Sequence, residues 1–138
     1  MTETDIERRL SAPVVAASLD AIHDLLEEWW SKVGEVPPRV RFGFDTAVIE
    51  IAGNIVEHSG AARPDGEFTL ELSATPVRLR ATFGDDGRPT SFDPDAVRMA
   101  SIDEETGRGL ALAIAGVDQV AYRRDGARNV WELESERP

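Results

Sequence analysis

Phe44-Asp-Thr-Ala-Val-Ile-Glu50-Ile-Ala-Gly-Asn54-Ile-Val-Glu-His58-Ser59 is the stretch on which the reading of this chain turns. Phe44, Val48, Ile51 and Ile55 recur every three or four residues, and Gly60 supplies a stop, so the spacing predicts a helix over 39–59. Glu50, Asn54 and His58 recur every four residues and form a polar row beside that apolar stripe. Taken alone, such a row is a solvated helix edge. Two glycine-bearing motifs that follow in fixed order, Asp85-x-Gly87-x-Pro89 and Gly107-x-Gly109-Leu110, give it a second meaning, because acidic, glycine-rich and helix-starting pieces can meet at one end of a sheet to make a nucleotide site.

Upstream of this stretch, Leu19, Ile22, Leu25, Leu26, Trp29 and Val33 form one helical stripe that starts after Ser18, a good N-cap, and ends at Gly34. Trp29 belongs to the stripe. Trp30, turned about 100° around the helix, is expected to cover a partner surface. Residues 5–15 read as a short edge strand closed by Pro13, which cannot donate to a ladder.

Downstream, Phe68, Leu70 and Leu72, then Val77, Leu79, Ala81 and Phe83, alternate with Thr69, Glu71, Arg78, Arg80 and Thr82. That is a hairpin with one buried and one polar face. The Gly-, Pro- and Asp-rich residues 84–106 are read as a loop carrying a lid at about 88–106. A third helix over 108–117 carries Leu110, Leu112, Ile114 and Val117, and strands over 119–124 and 129–134 turn around Asp125-Gly126. The order β-α-α-β-β-α-β-β is that of an α/β (α+β) two-layer sandwich, a mainly antiparallel sheet with helices on one face, here a single domain over 1–138 with its core at about 8–134.

Composition narrows the function. The net charge is −11, with 26 acidic against 15 basic residues, which argues against direct binding of nucleic acid, since phosphate neutralisation needs a basic face. There is no cysteine, no run long enough to span a membrane and no basic-then-apolar leader, so a reducing cytoplasm is the expected location. Lys32 is the single lysine and lies in Trp-Ser-Lys-Val-Gly, so neither a P-loop nor a protein-kinase-fold phosphate site can be built around it.

A magnesium-nucleotide site without lysine needs an oxygen ligand for the metal, donors for the phosphates and a reader for the base. Asn54 offers a neutral side-chain oxygen to Mg²⁺, and Glu50, one turn earlier, can take a proton from an attacking hydroxyl. Asp85 follows a strand and can accept the adenine amino group, while Gly87 lets backbone approach the ring, although Asp-x-Gly is also a common turn. Gly107 and Gly109 flank Arg108 ahead of a helix, where N–H groups and the positive helix end can face phosphates. His58, in the last turn of its helix, is explained by the helix dipole, and His23 lies beside a core stripe; neither is given a catalytic role.

Together, residues 47–59, 84–94 and 107–118 resemble the N, G1 and G2 boxes of the GHKL (Bergerat-fold) ATPases, and among these the anti-sigma factor serine/threonine kinases. Asp118-Gln-Val120, Gly126 and the strand Asn129-Val-Trp-Glu-Leu133 are similar to that family's ending, so the resemblance covers about 8–134. It implies a Bergerat-type ATP-binding fold, ATP and Mg²⁺ as cofactors, Glu50 as general base, Asn54 as the metal ligand, Asp85, Gly87 and Pro89 at the adenine, and Gly107, Arg108, Gly109 and Leu110 around the phosphates. It further implies a homodimer that phosphorylates a STAS-domain anti-anti-sigma factor and holds a sigma factor in the alternative state. The alternative function is a catalytically inactive, nucleotide-gated module that binds a regulator.

Overall fold

The computed structural model describes residues 6–62, 65–89 and 105–138, and side chains within them apart from 59–62 and 105–108. Strand β1 (Ile6–Pro13) leads into helices α1 (Ser18–Val33) and α2 (Pro38–Ala62), then β2 (Glu67–Ala74), β3 (Arg78–Asp85), α3 (Glu105–Gly116), β4 (Gln119–Asp125) and β5 (Arg128–Glu136). The strands form one sheet in the order β1-β2-β3-β5-β4, with every neighbouring pair antiparallel. Among the described residues the element order is the expected one, and the fold class is that observed.

Alternation in the strands sorts the two faces. Phe68, Leu70, Leu72, Leu79, Ala81, Phe83, Trp131 and Leu133 are buried toward the helices, whereas Glu71, Arg78 and Arg80 stand on the open face. On that face Glu134 lies across from Arg80 and takes hydrogen bonds from Arg78 at 2.6 Å and Arg80 at 3.2 Å. Burial alone would raise the Glu134 carboxyl, but the two guanidinium groups hold it below its ordinary value.

The register pairs Asp85 with Phe68 on one side and with Asn129 on the other, so Asp85 sits at the end of the central strand. The β4–β5 hairpin turns through Gly126 and Ala127, and Gly126 takes φ +60°, a conformation that L side chains rarely adopt.

Helix α1 starts at Ser18 with Ala17 as its cap residue and no side-chain cap bond. Ser18 instead donates from Oγ to the Pro13 carbonyl at 2.7 Å, tying the helix start to the end of β1. Trp30 corrects the expectation of a partner surface: it is 3% exposed. Its indole donates to Asp45 Oδ1 at 2.7 Å and its ring meets Phe44 edge-on at 5.8 Å, with Trp29 stacked on Phe44 at 5.4 Å. Helix α2 packs over that flank of α1, so a residue one step off the stripe is covered by a second helix instead of solvent. Asp45 is correspondingly raised above its ordinary carboxyl value by burial, which outweighs the Trp30 hydrogen bond and the nearby Arg41.

Three other expectations change. Leu112 is half exposed, because the face of α3 that packs inward is that of Ala113 and Ile114, and Val77 is exposed in the bend before β3, which starts at Arg78. His58 lies a full turn before the end of α2, which continues to Ala62 through Gly60, so its placement at a helix terminus does not hold.

Candidate functional site

The site rests on the way α2 and α3 are brought together. A Cβ built on Gly43 would lie 2.2 Å from the Gly116 carbonyl oxygen, and one on Gly116 would lie 2.4 Å from that of Gly43, so the two helix backbones touch. Seven residues along each helix in opposite directions, a Cβ on Gly109 would lie 2.5 Å from Glu50 Oε2. The helices are therefore antiparallel across a seam of small residues, with the fully buried Ala47 and Ala113 between the two contacts. Glycine is required at 43 and 116 because backbone occupies the space. At 109 the space is taken by the Glu50 carboxylate, the end of a flexible side chain, and not by backbone.

Glu50 and Asn54 are both half-buried and stand one turn apart on α2. Carried one turn beyond the Glu50–Gly109 contact, the same register sets residue 54 against residue 105, the first of α3. The helix starts at Glu105, three residues earlier than expected. Gly107 thus falls in the opening turn, whose N–H groups have no partner within a helix, and Gly109 lies past it. Leu110 is half-buried and packs on the core. The Arg108 side chain and the lid residues 90–104 lie outside what is described.

Among the described residues no group of three or more His, Cys, Asp or Glu could hold a metal ion. A magnesium ion commonly keeps several waters and takes few protein ligands, so a single side-chain oxygen such as that of Asn54 fits it.

The residues expected to read the base lie at the end of β3 and in the turn beyond it. Asp85 is 1% exposed, and its Oδ1 accepts the Gly87 N–H at 2.8 Å, closing a tight turn. It also accepts from Asn129 Nδ2 at 3.0 Å. Gly87 is buried, and Pro89 is exposed just beyond it. On the opposite face of the sheet Arg128 reaches over Gly84, its Nη2 only 2.5 Å from where a Cβ would stand, and pairs with Asp86 at 3.0 Å. The Asp85 turn is thus held from both faces of the sheet.

Sequence reasoning missed Asn129, Arg124, Tyr122 and Arg128, all from the last hairpin. A signal was present: a polar residue, Asn129, at an inward position between the buried Trp131 and the turn.

A separate groove of about 440 Å³ lies at the other end of the α2–α3 seam, lined by Arg39, Phe42, Gly43, Leu112 and Gly116 among others. It contains none of Glu50, Asn54 or Asp85.

Comparison with known proteins bears on the fold and the family. A family model described as the histidine kinase-like ATPase domain matches residues 12–134. Among curated proteins none matches significantly. Among solved structures, the RsbU and RsbW domains of Rv1364c from Mycobacterium tuberculosis superpose with a TM-score of 0.69 at 18% identity, over 96% of this chain and 33% of that one. The histidine kinase domain of the blue-light activated histidine kinase EL346 from Erythrobacter litoralis superposes with a TM-score of 0.57 at 20% identity, over 89% of this chain and 60% of that one. The chain thus spans about a third and three fifths of the lengths of these two structures, and at such identities the likeness is one of fold. With the family match running from the end of the first strand almost to the end of the last, the chain belongs to the histidine kinase-like ATPase domain family.

Proposed function

We propose that this chain is an ATP-dependent serine/threonine protein kinase of the anti-sigma factor kind, a magnesium-using transferase that regulates transcription by phosphorylating a STAS-domain anti-anti-sigma factor and binding a sigma factor in turn. Family membership makes ATP the ligand. The observation that carries the catalytic part is the Glu50 carboxylate lodged against Gly109, which holds a proton acceptor at the end of the α2–α3 seam where Asn54 follows and α3 begins.

In this reading Asp85 and the Gly87–Pro89 turn receive the adenine. Gly107, Arg108 and Gly109 line the phosphates, and Leu110 anchors that helix start to the core. Asn54 holds Mg²⁺, which shields phosphate charge when bound. Glu50 takes the proton from the acceptor hydroxyl as its oxygen bonds to the γ-phosphorus of ATP, the bond from that phosphorus to the bridging oxygen breaks and ADP leaves. The specific partners and the homodimer come from the resemblance of the three motifs to anti-sigma factor kinases, and the cytoplasmic location from the cysteine-free composition. No helix among the described residues is long and apolar enough to cross a membrane.

The test incubates the chain with labelled ATP and, one at a time, the STAS-domain proteins of its source. Phosphoserine or phosphothreonine on one of them is expected, with Glu50→Ala retaining Mg·ATP binding while transfer falls by about 10²–10⁴-fold. ATP binding without transfer to any of them would replace the kinase with the nucleotide-gated binding module.

A further inference from the structure

Asn129 is 3% exposed and is the cross-strand partner of Asp85. Its side-chain amide meets four groups at once. Nδ2 donates to Asp85 Oδ1 at 3.0 Å and to the Arg88 carbonyl at 2.9 Å. Oδ1 accepts from the Tyr122 hydroxyl and from Arg124 Nη1 at 3.0 Å. Two acceptors on the nitrogen side and two donors on the oxygen side leave one sensible orientation for the amide, and they use its whole hydrogen-bonding capacity. Arg124 Nη1 donates as well to the Gly87 carbonyl at 2.8 Å.

Three side chains of the last hairpin therefore grip both the Asp85 carboxylate and the backbone of the two residues leading to Pro89. Tyr122 is itself packed against Trp131 at 4.8 Å, so the clamp is seated on the core.

We propose that Asn129, held by Tyr122 and Arg124, is a positioning residue that sets base specificity: it fixes the rotation of the Asp85 carboxylate and ties it to the turn at 87–88. The inference rests on the reading of Asp85 as the adenine acceptor. A carboxylate can serve any donor within reach, whereas one locked by two N–H groups on Oδ1 presents a single orientation to the base. Discrimination between a 6-amino and a 6-oxo purine depends on that orientation, because a misaligned carboxylate gains little from the amino group and repels the carbonyl less.

Dissociation constants for ATP, GTP and purine riboside 5′-triphosphate, which carries no 6-substituent, separate positioning from general scaffolding. Measured on the wild-type chain, Asn129→Ala, Tyr122→Phe and Asp85→Asn, alongside the melting temperature of each without nucleotide, they are expected to show the ATP-over-GTP preference narrowing at least tenfold in Asn129→Ala. The same direction and a smaller size are expected in Tyr122→Phe, with affinity for the unsubstituted purine nucleotide little changed. Adding Asn129→Ala to Asp85→Asn should then cost no further preference.

Equal weakening for all three nucleotides, or an unaltered preference, would overturn the positioning role. If Asn129→Ala does not fold, Tyr122→Phe decides: a wild-type preference in that variant overturns the proposal. A wild-type chain that binds GTP as well as ATP, or neither, would instead remove the reading of Asp85 and this inference with it.

Discussion

Gly109→Ala and Gly116→Ala place the same methyl group on the same face of α3, two turns apart, and should differ in their effect on stability. At 109 the new Cβ would stand 2.5 Å from Glu50 Oε2 and 3.5 Å from its Cδ. The obstacle is the far end of a flexible side chain, which a torsional adjustment of about 30° clears at roughly 0.5–1.5 kcal/mol. Replacing a mid-helix glycine by alanine returns about 0.5–1 kcal/mol. The two terms nearly cancel, and the melting temperature should stay within about 4 °C of wild type. At 116 the obstacle is the Gly43 backbone, with its carbonyl oxygen at 2.4 Å and its Cα at 3.2 Å. Only separation of the two helices relieves that, at an overpacking cost of about 1–3 kcal/mol.

Thermal unfolding of both variants, repeated in a Glu50→Ala background, isolates the contact. Removing the carboxylate should make Gly109→Ala more stable than its parent by about 0.5–1 kcal/mol, while leaving the Gly116→Ala defect unchanged. In the phosphate-transfer assay, Gly109→Ala alone should lose up to the ~10²–10⁴-fold that a placed general base supplies, with Mg·ATP binding kept. A Gly109→Ala protein as unstable as Gly116→Ala, or one stabilised equally with and without Glu50, would refute the assignment of that space to the carboxylate.

Trp30→Ala should cost about 3–5 kcal/mol, read by denaturant melts, since the indole is buried against Phe44 and satisfies Asp45; a loss below about 1 kcal/mol would return Trp30 to the surface. Asp45→Asn keeps the acceptor for Trp30 but removes a charge that burial penalises. The native state holds the Asp45 proton more tightly than the unfolded chain does, so wild-type stability falls as pH rises from the ordinary carboxyl value through the raised one. The variant should match wild type in acid and exceed it at neutral pH, and a variant less stable at pH 7 would contradict this. Gly53→Ala, where a Cβ meets nothing within 4 Å, should stabilise the chain by about 0.5–1 kcal/mol. Mg·ATP at a hundredfold excess over its dissociation constant should add about 2.7 kcal/mol, with Asn54→Ala abolishing the magnesium dependence; a melting temperature indifferent to ATP and ADP would remove the nucleotide site.

The sequence alone determined the element order, the antiparallel sheet and the family, because each is written in local or ordered patterns: period-2 alternation from Phe68 to Phe83, a helical stripe from Phe44 to Ile55, and three motifs in register. It placed Glu50 and Asn54 on one row for the same reason, since helix geometry alone dictates that spacing. What only the tertiary structure decided is what meets across elements. Trp30 and Leu112 exchanged the expected exposures because a neighbouring helix, not the periodicity of their own, determines which flank is covered. Gly109 acquired its contact with Glu50 from the antiparallel crossing of α2 on α3. Asn129 reached Asp85, 44 positions earlier in the chain, only because β5 pairs with β3 in that register. Strand pairing and helix crossing are long-range choices made by the packing of the whole core, and no local spacing carries them.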